Sequence, residues 1–385
     1  MKFLFFLMCF LLTGCVAPEA PETTVPVITT VTVPETTVAT LPEPAVPPTT
    51  LPSDPIKEII GDMSLQERVG QLFLVRCDDS VALEDIETYH LGGFVLFGRD
   101  FEGQTPESLR QKLGAYQAAA KHPLLIAVDE EGGSVTRISS NPAFRSTRFP
   151  SPRSLYSGSG MEAVLVCEKE KCLLLSSLGI NVNLGPVCDI TTDPNAFLYS
   201  RSLGQAPEIT SEFVRDTVRE MNSNKIGSCL KHFPGYGNNV DTHIGIATDS
   251  RSLMELETCD LIPFAAGIEA GADAILVSHT IVEALDPQNP ASLSPGAHQY
   301  LRNEMGFDGV ILTDDLVMQA ITDQYGAGEA AVLAVLAGND LLCSTDYRVQ
   351  YDAVYAAVLE GRIDIDTLNA AVRNVLDWKT ELGLI

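Results

Sequence analysis

The sequence predicts an α/β fold, a (β/α)8 TIM-type barrel built by one domain over residues 55–385. Three observations point there. From about residue 55, short apolar runs alternate with longer amphipathic segments, the pattern of strands covered on both faces by intervening helices. Eight such runs can be marked, the number that closes a barrel. No G-x-G-x-x-G stands between a strand and a helix, and there is no P-loop, so a doubly wound open sheet, the alternative, lacks its usual signature.

Ahead of the barrel, residues 1–14, MKFLFFLMCFLLTG, hold one lysine and then an apolar run too short to span a bilayer, which reads as a secretory signal. Leu12-Thr13-Gly14-Cys15 resembles the bacterial lipobox, so Cys15 is expected to become a lipidated N-terminus that anchors the exported protein to the cell membrane. Residues 15–54 are dominated by Pro, Thr, Val and Glu with no helical or strand period. Such a segment cannot bury a core and is expected to be an extended tether, reaching at most roughly 120 Å at about 3.1 Å per residue.

Within the domain, Ser64 followed by Glu67 reads as a capping box before the first strand. The eight strands are expected at 72–75, 93–97, 124–128, 181–184, 227–230, 274–277, 309–312 and 340–343. Helical segments fall between them at 106–120, 161–178, 207–222, 262–270, 295–305 and 328–337.

Composition narrows the function classes. A formal net charge of -26, from 25 Lys and Arg against 51 Asp and Glu, argues against a nucleic-acid partner. Of nine cysteines, seven lie in the domain, an odd number without C-x-x-C spacing, so neither a disulfide framework nor a zinc knuckle is supported. The six histidines contain no His-x-His pair, which argues against a metal-dependent barrel hydrolase. No cofactor or metal is expected, and the chain is expected to be a monomer.

In a barrel the site forms where the strands end, so the residues just after each apolar run are informative. The third run ends in Asp129-Glu130-Glu131-Gly132-Gly133, and the fourth passes through GPVCDI toward Arg201-Ser202-Leu203-Gly204. The fifth ends in Lys231-His232, the sixth in Ser278-His279 and the seventh in Thr313-Asp314-Asp315. Singly, an aspartate after a strand often caps the next helix, and Asp315 is best explained as such a support. Five strand ends carrying charge or imidazole together suggest glycoside cleavage. A retaining mechanism needs a carboxylate nucleophile, for which Asp314 at a rigid strand end is suited, and a proton donor. His243 can serve as donor, with Asp241 two residues earlier able to orient its ring; Glu130 and Glu131 stay open as other donors.

KHFPGYG followed by DTH, together with DEEGGSVTR, RSLG and GVILTDDLVM, closely resembles the family 3 glycoside hydrolases of the NagZ type, β-N-acetylhexosaminidases of peptidoglycan turnover. The resemblance spans about residues 56–385. It implies a TIM barrel and removal of non-reducing terminal β-GlcNAc, chiefly from muropeptide-type glycans, through a glycosyl-enzyme. It implies Asp314 as nucleophile, His243 as acid/base assisted by Asp241, and sugar contacts from Asp129, Arg137, Arg201, Lys231 and His232. Three departures stand out: Ser134 replaces an arginine, Tyr236 replaces a histidine, and the interval from Lys231 to Asp241 is one residue short. The first two are expected to tune the rim of the site. A β-glucosidase or β-xylosidase of the same family, or an inactive lipid-anchored glycan-binding protein, are the alternatives.

Overall fold

The computed structural model describes residues 54–238 and 247–385. The expected leader, Cys15 and the tether up to residue 53 lie outside these residues, as do Asp241 and His243.

Eight parallel strands form the barrel: β1 (Phe73–Arg76), β2 (Gly93–Leu96), β3 (Leu125–Val128), β4 (Val182–Asn183), β5 (Gly227–Phe233), β6 (Ala274–Val277), β7 (Val310–Thr313) and β8 (Leu342–Ser344). Each pairs with its neighbour in sequence, β8 returns to pair with β1, and a parallel bridge from Leu312 to Leu341 joins β7 to β8. The expected (β/α)8 fold is therefore present.

Side-chain alternation divides the core as a parallel barrel requires. Leu74, Leu125, Ala127 and Val310 point into the barrel, whereas Phe73, Val75, Ile126 and Val128 pack outward against the helices. The lower end of the barrel is plugged from outside the strands: Val375 and Trp378, from the helix Ile365–Glu381, join the interior cluster.

The capping box forms as expected, with Ser64 Oγ accepting from the Glu67 amide at 3.2 Å and Glu67 Oε2 accepting from the Ser64 amide at 2.7 Å. Elsewhere the boundaries move. The helix expected from 161 follows a non-helical Gly160 with φ 77°, and a separate helical segment precedes it from Pro152, where Ser151 caps it and Pro152 supplies a preset first turn. The Ser-Gly-Ser-Gly run conceals that first segment from a helical-period search. The helix expected over 295–305 closes at Gln299 and continues as a wide π turn, Tyr300–Glu304. The seven domain cysteines are all free, and five of them are buried as small apolar residues.

Candidate active site

The loop after β3 folds around one buried carboxylate. Glu130 Oε2 accepts from the Arg137 and Ile138 amides, both at 2.8 Å, and Oε1 accepts from the Ser139 hydroxyl. Asn183, at the end of β4, receives the Glu130 amide at 2.9 Å. The turn closes at Gly132, with φ 103°, where a Cβ would sit 2.4 Å from the Pro150 carbonyl oxygen; only glycine fits. This knot returns Arg137 beside Asp129, with Nη2 3.5 Å from Asp129 Oδ2. Glu130 is thereby committed to holding the loop and is unsuited to proton donation.

At β5 the chain does something a regular strand cannot. Pairing with β6 shifts register between Leu230 and Phe233, and the intervening Lys231–His232 peptide is cis. Adjacent residues of a regular strand face opposite sides, yet Lys231 and His232 both line one cavity. The strand reaches Phe233, three residues past its expected end, because Cys188 and Pro186 continue the ladder through Cys188 N to Lys231 O (2.7 Å) and Lys231 N to Pro186 O (3.2 Å).

The buried Lys231 ammonium donates to Asp129 Oδ1 and pairs with Glu131 Oε1, both at 2.7 Å. Arg201 grips Glu131 with two hydrogen bonds, Nε to Oε2 at 2.9 Å and Nη2 to Oε1 at 2.7 Å. Arg201 Nη2 also lies 3.2 Å from His232 Nε2. Asp189 holds the other side of that ring, with Oδ2 2.8 Å from Nδ1, and its Oδ1 accepts from the Tyr236 amide at 2.8 Å.

Burial alone would neutralise these groups, but their mutual charge wins. Desolvation pushes the Glu131 carboxyl up, and Lys231 and Arg201 together pull it well below the usual carboxylate range. Asp129 is likewise raised by burial and lowered, on balance, by Lys231. Lys231 loses hydration and still has its pKa raised, by Asp129 and Glu131. Glu131 is thus an ionised structural anion, which removes it too from the candidate proton donors.

Asp314 comes directly after β7 and lines the same cavity of about 350 Å3. Its Oδ1 accepts from the Asp315 amide at 2.8 Å, and among the described residues nothing donates to Oδ2. Asp315 is the support the sequence suggests: its carboxylate accepts from the Val317 amide, the Thr345 amide and the Thr345 hydroxyl, at 3.1, 3.1 and 2.5 Å.

The cavity therefore gathers Asp129, Arg137, Arg201, Lys231, His232 and Asp314, all six site residues that fall within the described chain. Tyr236 is a correction. It is buried rather than on the rim, 1% exposed, with its ring edge-on to His232 at 5.5 Å, because the tight turn through Pro234 and Gly235 folds it back under the strand. Ser134 is exposed. Sequence reasoning missed Asp189, whose only signal was its place in GPVCDI, and Arg76, which stacks its guanidinium 4.5 Å over Phe97 on the cavity wall.

Cys77, Asp79 and Asp100 converge closely enough to suggest a metal ligand set. Their donors are already engaged: Lys112 Nζ lies 2.7 Å from Asp79, the Tyr116 hydroxyl 3.0 Å from it, and the Phe97 amide 2.6 Å from Asp100. Burial, reinforced by Asp100, keeps the Cys77 thiol protonated, which is the wrong form for a ligand.

Comparison with known proteins agrees with this geometry. A β-hexosaminidase of Stenotrophomonas maltophilia (strain K279a) is 35% identical over 305 residues, 75% of this chain and 86% of that protein. A family 3 β-N-acetylglucosaminidase from Paenibacillus superposes with a TM-score of 0.78 at 32% identity over 84% of this chain, which spans only 63% of that longer protein. M tuberculosis LpqI gives a TM-score of 0.78 at 28% identity, over 85% of this chain and 96% of that one. Residues 64–378 match the model of the glycosyl hydrolase family 3 N terminal domain, and the chain accordingly belongs to that family and is a glycoside hydrolase.

Proposed function

We propose that this hydrolase removes terminal β-linked N-acetylglucosamine from glycans, muropeptides among them, by a retaining double displacement on Asp314. The carrying observation is Asp314 itself: a carboxylate at a strand end, one oxygen fixed by the Asp315 amide, facing a cavity whose opposite wall offers Asp129, Lys231 and His232 to sugar hydroxyls. The sugar is supported by the relatives, which are named for β-hexosaminidase and β-N-acetylglucosaminidase activity.

In this mechanism Asp314 attacks the anomeric carbon as the glycosidic oxygen leaves with a proton, and water then releases the sugar with the proton returned. Glu130 and Glu131 are both tied into fixed bonds, which leaves His243, assisted by Asp241, as the donor and acceptor of that proton. Both lie outside the described residues. The roots of their loop are anchored: Arg251 Nη1 donates to Asp260 at 2.6 Å and its Nη2 to Asp249 at 2.6 Å, and this guanidinium sits under Gly237.

An activated 5-fluoro-GlcNAc glycoside should label Asp314, and Asp314→Gly should lower turnover by about 10⁴-fold or more. His243→Ala should lose about 10²–10⁴-fold on glycosides with poor leaving groups and far less on activated aryl glycosides, for which leaving-group protonation matters little. A label on another residue refutes the nucleophile. Equal losses across leaving groups refute the acid/base, and faster hydrolysis of the matching aryl glucoside refutes the sugar.

A further inference from the structure

We propose that His279 is a positioning residue for Asp314, acting through the main chain of Asp315 as a proton-bearing Nε2 donor. This role rests on Asp314 being the nucleophile. His279 lies just beyond β6 and is fully buried at 0% exposure, beside rather than in the cavity.

Its two nitrogens face different chemistry. Nε2 lies 3.1 Å from the carbonyl oxygen of Asp315, a group that can only accept, so Nε2 carries the proton. Nδ1 lies 2.7 Å from Ser292 Oγ, a hydroxyl that holds that side of the ring. Ser292 is itself held at both ends of its backbone: its amide donates to Ser278 O at 3.0 Å, and its carbonyl accepts from Asn339 Nδ2 at 2.7 Å.

The consequence falls on Asp315. Its side chain is bound by Val317 and Thr345, its carbonyl by the Met318 amide at 3.0 Å and by His279, and its amide is the donor that fixes Asp314 Oδ1. Val317, Thr345, Met318 and His279 thus together orient one peptide hydrogen toward the nucleophile's carboxylate. Without His279 the carbonyl keeps the Met318 amide and the next amide, Leu316, stays on Cys343 O at 3.1 Å, so the peptide tilts toward those two bonds, and a displacement near 1 Å at a reacting group can slow chemistry about 10²-fold.

Glutamine and asparagine separate this role from simple packing. His279→Gln can place an amide donor where Nε2 stands, and His279→Asn can place one only near Nδ1. With the activated 5-fluoro-GlcNAc glycoside, His279→Gln should label Asp314 within about tenfold of the wild-type rate. His279→Asn should label it about 10²-fold more slowly, with inhibition by free GlcNAc unchanged within about threefold. Equal labelling rates in the two variants, or a loss confined to GlcNAc binding, would overturn the proposal. Should His279→Asn fail to fold, Ser292→Ala keeps Nε2 but releases the ring, and labelling about tenfold slower is expected; a wild-type rate there also overturns it. A wild-type label away from Asp314 would instead refute the nucleophile assignment on which this inference stands.

Discussion

Of the three lysines buried among the described residues, Lys171, Lys231 and Lys379, the last two sit at opposite ends of the barrel and have opposite electrostatics. Lys231, on β5 at the upper end, is 2% exposed and lies 2.7 Å from both Asp129 and Glu131. Lys379, on the helix that plugs the lower end, is 0% exposed and has one neutral partner, Gln71 Oε1, at 2.6 Å. Among the described residues no carboxylate pairs with it. Burial lowers the Lys379 pKa to about 7, whereas the two carboxylates around Lys231 overcome the same burial and raise its pKa. Burial therefore does not decide charge; the number of counter-ions brought along does. The upper end stores fixed charge facing a cavity, and the lower end stores a lysine near its neutral point.

The largest effect that could break this contrast is at Lys231. Lys231→Met keeps the length of the side chain, leaves Asp129, among the described residues, with only the 3.5 Å contact to Arg137 and takes one of two cations from Glu131, so it should destabilise the fold by about 3–5 kcal/mol at pH 7. Activity on an aryl GlcNAc glycoside should fall at least about 10²-fold in kcat/KM. The pH dependence has a definite sign. Both carboxyls are held below their unfolded values in the wild type, so the stability they contribute is present above the unfolded carboxylate range and is lost as pH falls through it. The gap between wild type and variant should accordingly narrow below about pH 5, from pH 5 toward pH 3, in urea unfolding. A gap under about 1 kcal/mol, or one that ignores pH, would mean the network is not a charged unit.

How far these two ends could be read in advance differs as well. The barrel was legible because strands covered on both faces leave continuous apolar runs, and Lys231 and His232 were legible as polar residues breaking such a run. What was hidden needs three elements to meet. The Glu131 grip on Arg201 joins residues 70 apart, and Asp189 meets His232 across 43. Neither pairing has a local period or spacing to betray it. His279 drew notice as a strand-end imidazole, but its work is done through the Asp315 carbonyl, and a main-chain partner has no letter in the sequence. Lys379 gave no signal at all: a lysine in the last turn of a helix reads as a solvated charge that complements the dipole, and its partner Gln71 lies 308 residues away.

The smallest effect, and the sharpest test of the contrast, is at Lys379. Because its folded pKa of about 7 lies below the unfolded value near 10.5, the unfolded chain binds a proton that the folded chain does not throughout that interval. Stability contributed by this site therefore rises with pH, by up to ~1.4 kcal/mol per unit, and the penalty is constant below pH 7. His122 and the Lys121–Glu67 pair lie near enough to share the field, so the useful quantity is the difference between wild type and Lys379→Met. Methionine removes the titrating amine and its penalty at similar volume and leaves Gln71 Oε1 without its donor at a cost of about 1–3 kcal/mol, so near pH 7.5 the variant should be the more stable of the two, with activity unchanged. From pH 7.5 to pH 9.5, urea midpoints should then converge, the wild type gaining on the variant. Parallel pH profiles would show that Lys379 keeps its proton without a counter-ion, and the two ends of the barrel would then differ in geometry but not in charge.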